Sequence, residues 1–479
     1  MTYRTPGVYV EEVPLFPPSV AEVETAIPAF IGYTEKAEKD GNDQTEPLLI
    51  YSLKEFEQYF GKSAKEPEKS ISIEIDETRD GDDKRTAISG KVTTDKDKFS
   101  KYILYYSMQL FFANGGGKCY IVSADKFPAD GSGTPTKEKL VAGIEKLKAY
   151  DEPTMIVVPE AILTKDNDYL SVAEASIKQC FDLKDRFAIV DVKQSAGGVE
   201  ADAKTFRDNS MADFDHIRYA AAYYPYLVTT IERGTEIGKL TVTDHKINGE
   251  DAPGDKTYKG KTMAEVKGKA NDVYNAVSSE ISKATKIILP PSPAMAGIYA
   301  RVDSSRGVWK APANVSVASV TAPDVIVTKD QQDGLNIDST AGKSINVIRS
   351  FSGRGTIVWG GRTLDGNSNE WRYINVRRFF NMVEESVQKS TVWAVFEPNT
   401  KNTWVMVKSM IDNYLTTKWK EGSLAGAKPD DAFYVKVGLG ITMTADDILN
   451  GIMNVEIGMA VARPAEFIVL KFSHKMQVS

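Results

Sequence analysis

Hydrophobic positions alternate with period two near both ends of the chain and recur at helical spacing over much of its middle. In Thr5-Pro6-Gly7-Val8-Tyr9-Val10-Glu11-Glu12 the β-branched and aromatic run Val8, Tyr9, Val10 predicts a strand. Pro14, Pro17 and Pro18 follow at once, which bars a helix and keeps the next stretch extended, as an arm. In Phe467-Ile468-Val469-Leu470-Lys471-Phe472, Ile468, Leu470 and Phe472 share one strand face, while Lys471 and Ser473 begin the opposite face. No neighbouring segment obviously completes either strand. Two unpaired edges on one chain predict subunit-to-subunit strand addition; pairing of the two ends within one subunit is the competing expectation.

Between the ends, Ala29-Phe30-Ile31-Gly32-Tyr33 predicts a buried strand, and Ser52 caps a short helix through Phe56 and Tyr59 that stops at Gly61. Residues 62–100 change character: Ile71, Ile73 and Ile75 alternate, Asp80-Gly81-Asp82-Asp83 makes a turn, and a second alternating run passes through Ile88 and Val92. This reads as a charged β-hairpin insertion. From Ser100 to about Tyr226, helical patterns at 102–113, 140–150 and 169–183 separate apolar runs at 119–123, 155–158 and 187–190, which predicts a largely parallel sheet. Tyr219 to Leu227 adds a strand or its exit. Residues 230–285 are polar, with one helix expected from Met263 to Lys283. Residues 286–342 read as loops and short strands, because Pro290, Pro291, Pro293, Pro312 and Pro323 punctuate them.

The last 135 residues are the best patterned. Phe379, Met382, Val383, Ser386 and Val387 predict a helix from Arg378 to Trp393, stopped by Glu397-Pro398-Asn399. Trp404, Val407, Ile411, Tyr414 and Leu415 predict a second helix ending near Gly422. A strand at Phe433 to Val437, a capping-box helix at Thr444 with Asp447, and an alternating strand through Val455, Ile457, Met459 and Val461 complete the pattern. Arg463-Pro464 separates that strand from the terminal one.

With 479 residues, two or three domains are expected, and 42% hydrophobic with 26% charged residues is the balance of a soluble globular protein. A net charge of -7 disfavours nucleic acid or an anionic membrane as the main partner. Cys119 and Cys180 are too few for a disulfide framework, which fits a reducing cytosol. The start lacks an apolar signal core, and the run from Ile103 to Ala113 is too short to span a bilayer, so neither a signal peptide nor a membrane span is expected.

Catalytic motifs are sparse. Gly115-Gly116-Gly117-Lys118 is no phosphate loop, since Phe112 and Cys119 stand where Gly and Ser/Thr are required and a strand, not a helix, follows. Asp76 to Gly81 resembles the start of a calcium loop, yet Ala87 occupies the position of the bidentate Glu. His216, His245 and His474 lie far apart and no metal-ligand spacing occurs. The glycines of Ser352-Gly353-Arg354-Gly355 and Trp359-Gly360-Gly361-Arg362 read as bends in packed strands, with the arginines facing a neighbour. No catalytic, cofactor or metal residue is expected.

Three stretches carry a resemblance to the contractile tail sheath family of phages, R-type bacteriocins and extracellular contractile injection systems. They are Thr5 to Glu12; Pro293-Ala294-Met295-Ala296-Gly297-Ile298-Tyr299-Ala300-Arg301-Val302-Asp303 with Gly307-Val308-Trp309-Lys310-Ala311-Pro312-Ala313-Asn314; and the run from Gly355-Thr356 through Ile374-Asn375-Val376-Arg377-Arg378 to the terminus. The resemblance implies a structural protein whose hexameric rings stack around an inner tube and shorten to drive it through a target envelope. It implies that Val8, Tyr9, Val10 and Glu11 of the arm, and Phe467, Ile468, Val469, Leu470 and Phe472 of the terminal strand, complete a sheet shared with neighbouring subunits.

The expected fold is α/β and α+β in several domains: a linking arm at 1–20, the start of a core at 21–61, the hairpin insertion at 62–100, an α/β outer domain at 101–345 with a polar insertion near 230–285, an inner domain at 346–464 and a linking strand at 465–479. Lys401, Lys408, Lys418 and Lys420, opposite the apolar stripe of the second C-terminal helix, are candidate contacts to the inner tube. Expected partners are other copies of the chain, the inner tube protein, and baseplate and terminal cap proteins, with no nucleic acid, no membrane insertion and no cofactor. Assembly is expected in the bacterial cytoplasm, as part of a phage tail or a tail-like particle. A static polymer or surface-layer subunit is the alternative, and an α/β enzyme the third reading.

Overall fold

The computed structural model describes residues 19–67, 70–165, 167–210 and 213–469. They fall into two compact units: Glu24–Arg378, and residues 19–23 together with Phe379 onward. Among the described residues no helix is long and apolar enough to cross a membrane.

The larger unit is built on a nine-stranded sheet. Its centre is parallel, running in space from Ile345–Phe351 through Ala220–Tyr224, Phe187–Asp191, Met155–Val157 and Pro28–Thr34 to Cys119–Lys126. Leu48–Ile50 closes one edge antiparallel, and Gly355–Val358 with Val315–Ser316 closes the other. Successive side chains point to opposite faces, so Ala29, Ile31, Val122, Ile156 and Val190 enter one core and Phe30, Ile121, Val157 and Ile189 another. Helices cover both faces: Lys137–Lys146, Asp168–Leu183 and Val199–Asn209 on the first, Leu104–Ala113 and Ser292–Arg306 on the second. This double cover is why the strands read as continuous apolar runs.

The helix Ser292–Arg306 corrects the expectation of loops at 286–342. Pro291 and Pro293 sit at its entry, where an N–H has no intrahelical acceptor to lose, so they start the helix instead of breaking it. Residues Ser292 to Tyr299 are all buried, and a helix buried all round has no polar face to give it a helical period. Gly297 permits the crossing over Leu104–Ala113: a Cβ there would stand 2.5 Å from the carbonyl oxygen of Phe111.

The segments at 62–100 and 230–285 form one subdomain. Ile71–Arg79 and Arg85–Thr94 make the antiparallel hairpin, and Val242–Ile247 joins it parallel to the first strand. Met263–Lys269 and Asn271–Ala284 lay Val266, Val273, Val277 and Ile281 against Ile71, Ile73 and Ile75. The single helix expected from Met263 to Lys283 is two, broken at Ala270, whose φ of -150° is not helical. In the turn, Asp80 accepts from the backbone N–H of Asp82 and of Lys84 at 3.1 and 2.9 Å, which spends a carboxylate oxygen on chain reversal. At the root, Glu66 accepts from Arg233 at 2.7 Å and from the backbone of Ser100 at 3.0 Å, tying three chain crossings together.

The expected boundary at 346 also moves. Ile345–Phe351 and Gly355–Val358 are strands of the large sheet, so the smaller unit begins at Phe379, inside the helix Ile374–Ser390. Arg362 does not face a neighbour: it is buried and donates to the backbone of Gly366 at 3.2 Å.

Candidate assembly surface

The smaller unit pairs the remainder of Ile374–Ser390 with the helix Lys401–Lys420 and the antiparallel hairpin Phe433–Lys436 with Glu456–Met459. Thr444 and Asp447 form the expected capping box of Ala445–Leu449. Val407, Met410, Ile411, Tyr414 and Leu415 are the buried stripe of the long helix. Where the helices diverge, a groove of about 920 Å³ opens, walled by Val383 and Val387 on one helix, Val407 and Ile411 on the other, and Ile457 and Met459 of the hairpin. Glu456–Met459 is hydrogen-bonded to one strand, and among the described residues no second strand takes its other edge. The strand is shorter than the run to Val461 suggests.

Residues 19–23 lie along the two helices. Backbone N–H groups of Ala21 and Val23 donate to the hydroxyls of Ser390 and Ser386 at 3.1 and 3.0 Å. Two residues of extended chain advance about 6.6 Å and four of helix about 6 Å, so alternate N–H groups meet hydroxyls one turn apart. Between them Glu22 turns to the other helix, ion-pairing with Lys418 and accepting from Tyr414 at 3.4 Å. Lys418 also meets Glu421 at 2.8 Å. Burial works against the ammonium, yet the hydrogen bonds it donates to both glutamates prevail and hold its pKa above the ordinary value.

Lys418 is therefore a correction: its side chain is 8% exposed and is engaged inside the unit, unlike a solvent-facing tube contact. Its place four residues after Tyr414 and seven after Ile411 puts it on the apolar stripe, a spacing visible in the sequence. Lys401 and Lys420 are exposed, and Lys408 pairs with Asp412 at 2.6 Å. Val8, Tyr9, Val10, Glu11, Leu470 and Phe472 lie outside the described residues. Phe467, Ile468 and Val469 are 68%, 78% and 78% exposed and in no strand. Glu22, Ser386 and Ser390 were missed as an anchor, since nothing in the sequence joins positions more than 360 residues apart.

In the larger unit, two buried carboxylates occupy helix entrances. Glu160 accepts from the backbone N–H groups of Tyr33, Ile103 and Leu104 at 2.7, 2.8 and 3.0 Å, and Asp191 from Ser292 N–H at 2.8 Å and its hydroxyl at 2.5 Å. Burial raises each pKa to about 7 against these bonds. Arg378 makes a bidentate pair with Asp303 at 2.6 and 2.9 Å, both nearly inaccessible, and donates to the carbonyl of Thr25 at 2.9 Å. Two of the stretches that carry the family resemblance meet in this pair. Among the described residues no group of three or more His, Cys, Asp or Glu could hold a metal.

Comparison with known proteins matches residues 133–364 to the phage tail sheath protein central domain and 367–475 to the phage tail sheath C-terminal domain. Tail sheath proteins of Vibrio phage KVP40 and Enterobacteria phage T4 are 27% and 26% identical over 122 and 144 residues, 26% and 30% of this chain. Those matches span 18% and 20% of the relatives' own length. The sheath complex of an extracellular contractile injection system, PVC, in the contracted state is 29% identical with a TM-score of 0.65, covering 99% of both chains. The contracted helical sheath of the anti-feeding prophage is 28% identical with a TM-score of 0.64, covering 99% of this chain and 100% of that one. A chain of its contracted baseplate is 26% identical with a TM-score of 0.68, covering 98% and 99%. The chain belongs to the contractile tail sheath family.

Proposed function

We propose that this protein is the repeating subunit of a contractile sheath, polymerising as stacked hexameric rings around an inner tube and shortening to drive that tube through a target envelope. The observation that carries the reading is the apolar groove beside an open strand edge, in a chain whose own terminal runs alternate as strands. Similarity over nearly the whole chain to sheaths in the contracted state supports it.

In this reading the arm around Val8 to Glu11 and the strand around Phe467 to Phe472 enter neighbouring subunits and extend the hairpin into a shared sheet. Each hydrogen bond contributes about 1 kcal/mol, but the mesh repeats in every subunit and keeps them linked while the globular bodies repack. The work comes from new contacts between subunits as an extended state relaxes, with no nucleotide consumed and no catalytic residue. Lys401 and Lys420 are the candidate tube contacts that the fold leaves at the surface. The inner tube, the baseplate and a terminal cap are the other partners, with assembly in the bacterial cytoplasm.

Val469→Pro, or deletion of residues 1–12, is expected to remove ladder donors between subunits. Each variant is expected to remain a folded monomer with unchanged circular dichroism and to form no tubes by electron microscopy. Ordered tubes from both would reject strand exchange. Straight polymers that never shorten on a baseplate would favour the static alternative.

A further inference from the structure

Phe396 lies on the rim of the groove and is 103% exposed, the most exposed large apolar side chain among the described residues. Its φ is +69°, a left-handed conformation that is strained for a bulky residue. The loop imposes this conformation from both sides. On one side Thr391 donates to the carbonyl of Val387 at 2.8 Å, and Ala394 and Val395 close a tight turn. On the other, Thr403 donates to Pro398 at 2.7 Å, and Asn399 donates to Ile452 at 3.0 Å while accepting from Trp404 at 2.7 Å. Strain, rigid support and full exposure coincide on one aromatic ring, with Val392 and Val395 exposed beside it at 64% and 62%.

We infer that Phe396 is a clasp, closing over the terminal strand of a second copy of this chain once that strand occupies the groove. This rests on the strand-exchange reading and adds to it the residue that retains the strand. The occupant follows from the groove. One wall is the face of Glu456–Met459 that carries Ile457 and Met459; the strand's outer edge is free among the described residues and accepts only an extended backbone, and a strand added there would aim alternate side chains toward the groove. A segment with matching alternation of large apolar residues is Ile468, Leu470 and Phe472, whose described part is exposed and in no strand within its own subunit. A ring over the inserted strand would shield the new ladder hydrogen bonds from water, the role of a fully buried aromatic anchor.

The test compares Phe396→Ala, Phe396→Gly and Val469→Pro in the full chain. F396A is expected to fold as the wild type and to raise the critical concentration for tube formation, measured by sedimentation, at least tenfold. F396G should do the same while raising the monomer's melting temperature, because glycine adopts the positive φ freely. Wild-type assembly by F396A when V469P fails to assemble would overturn the clasp and leave strand exchange standing. Wild-type assembly by all three would overturn both. A second arm mixes F396C with I468C chains under oxidation; the native Cys119 and Cys180 are buried and give little background. A cross-link between the two chains, present only in tubes, supports the inference, and its absence from tubes overturns it.

Discussion

Asp191 illustrates how a single buried group ties stability to pH. Its folded pKa of about 7 lies above the ordinary 3.8, so the fold binds a proton that the unfolded chain has released over that window. The stability it contributes is complete below about pH 4 and is lost as pH rises through 7, a span worth about 4 kcal/mol. Asn can keep both bonds to Ser292, with the hydroxyl turning to accept. Asp191→Asn should therefore match the wild type near pH 5 and melt at higher temperature at pH 8; parallel melting curves at both pH values would remove Asp191 from this role. Arg378 and Asp303 are a different case, a buried bidentate pair. Asp303→Ala leaves the guanidinium uncompensated and should cost about 3–5 kcal/mol in urea unfolding, whereas an effect below 1 kcal/mol would mean the pair is solvated. Lys418 follows the same logic, so reversing it would strike the fold before it could report on a tube contact.

At the scale of elements, the helices and strands with one solvated face were legible. The period of Val407, Ile411 and Tyr414, the capping pairs at Ser52 and Thr444, and the alternation of Ile71, Ile73 and Ile75 each correspond to the element they suggested. Ser292–Arg306 was not legible, because prolines at a helix start and prolines in a loop look alike until the chain's surroundings are known. Gly297 makes the same point: its missing side chain is required by a carbonyl nearly 190 residues away, not by any local turn.

At the scale of the molecule, the subdomain built from 62–100 and 230–285 changes what a deletion would mean. Replacing 71–94 alone by a Gly/Ser linker would uncover Val273, Val277 and Ile281, and the product is expected to aggregate. Replacing 71–94 together with 240–284 removes both halves of that core and should yield a soluble chain that still forms tubes. If the single replacement stays soluble and monodisperse, the two segments do not share a core. If the double replacement is soluble yet forms no tubes, the subdomain carries a lateral contact.

What the sequence determined by itself is whatever is encoded within a few turns of chain: period, caps, hairpin turns, and wording ordered closely enough to indicate a family. The tertiary structure decided the rest. It placed Glu22 on Lys418, Asp303 on Arg378, and one inserted segment on the other across about 130 residues of intervening chain. The physical reason is that such pairs are selected by burial. A charge or an apolar face must find its complement wherever the fold brings one near, and sequence separation puts no limit on where that complement lies.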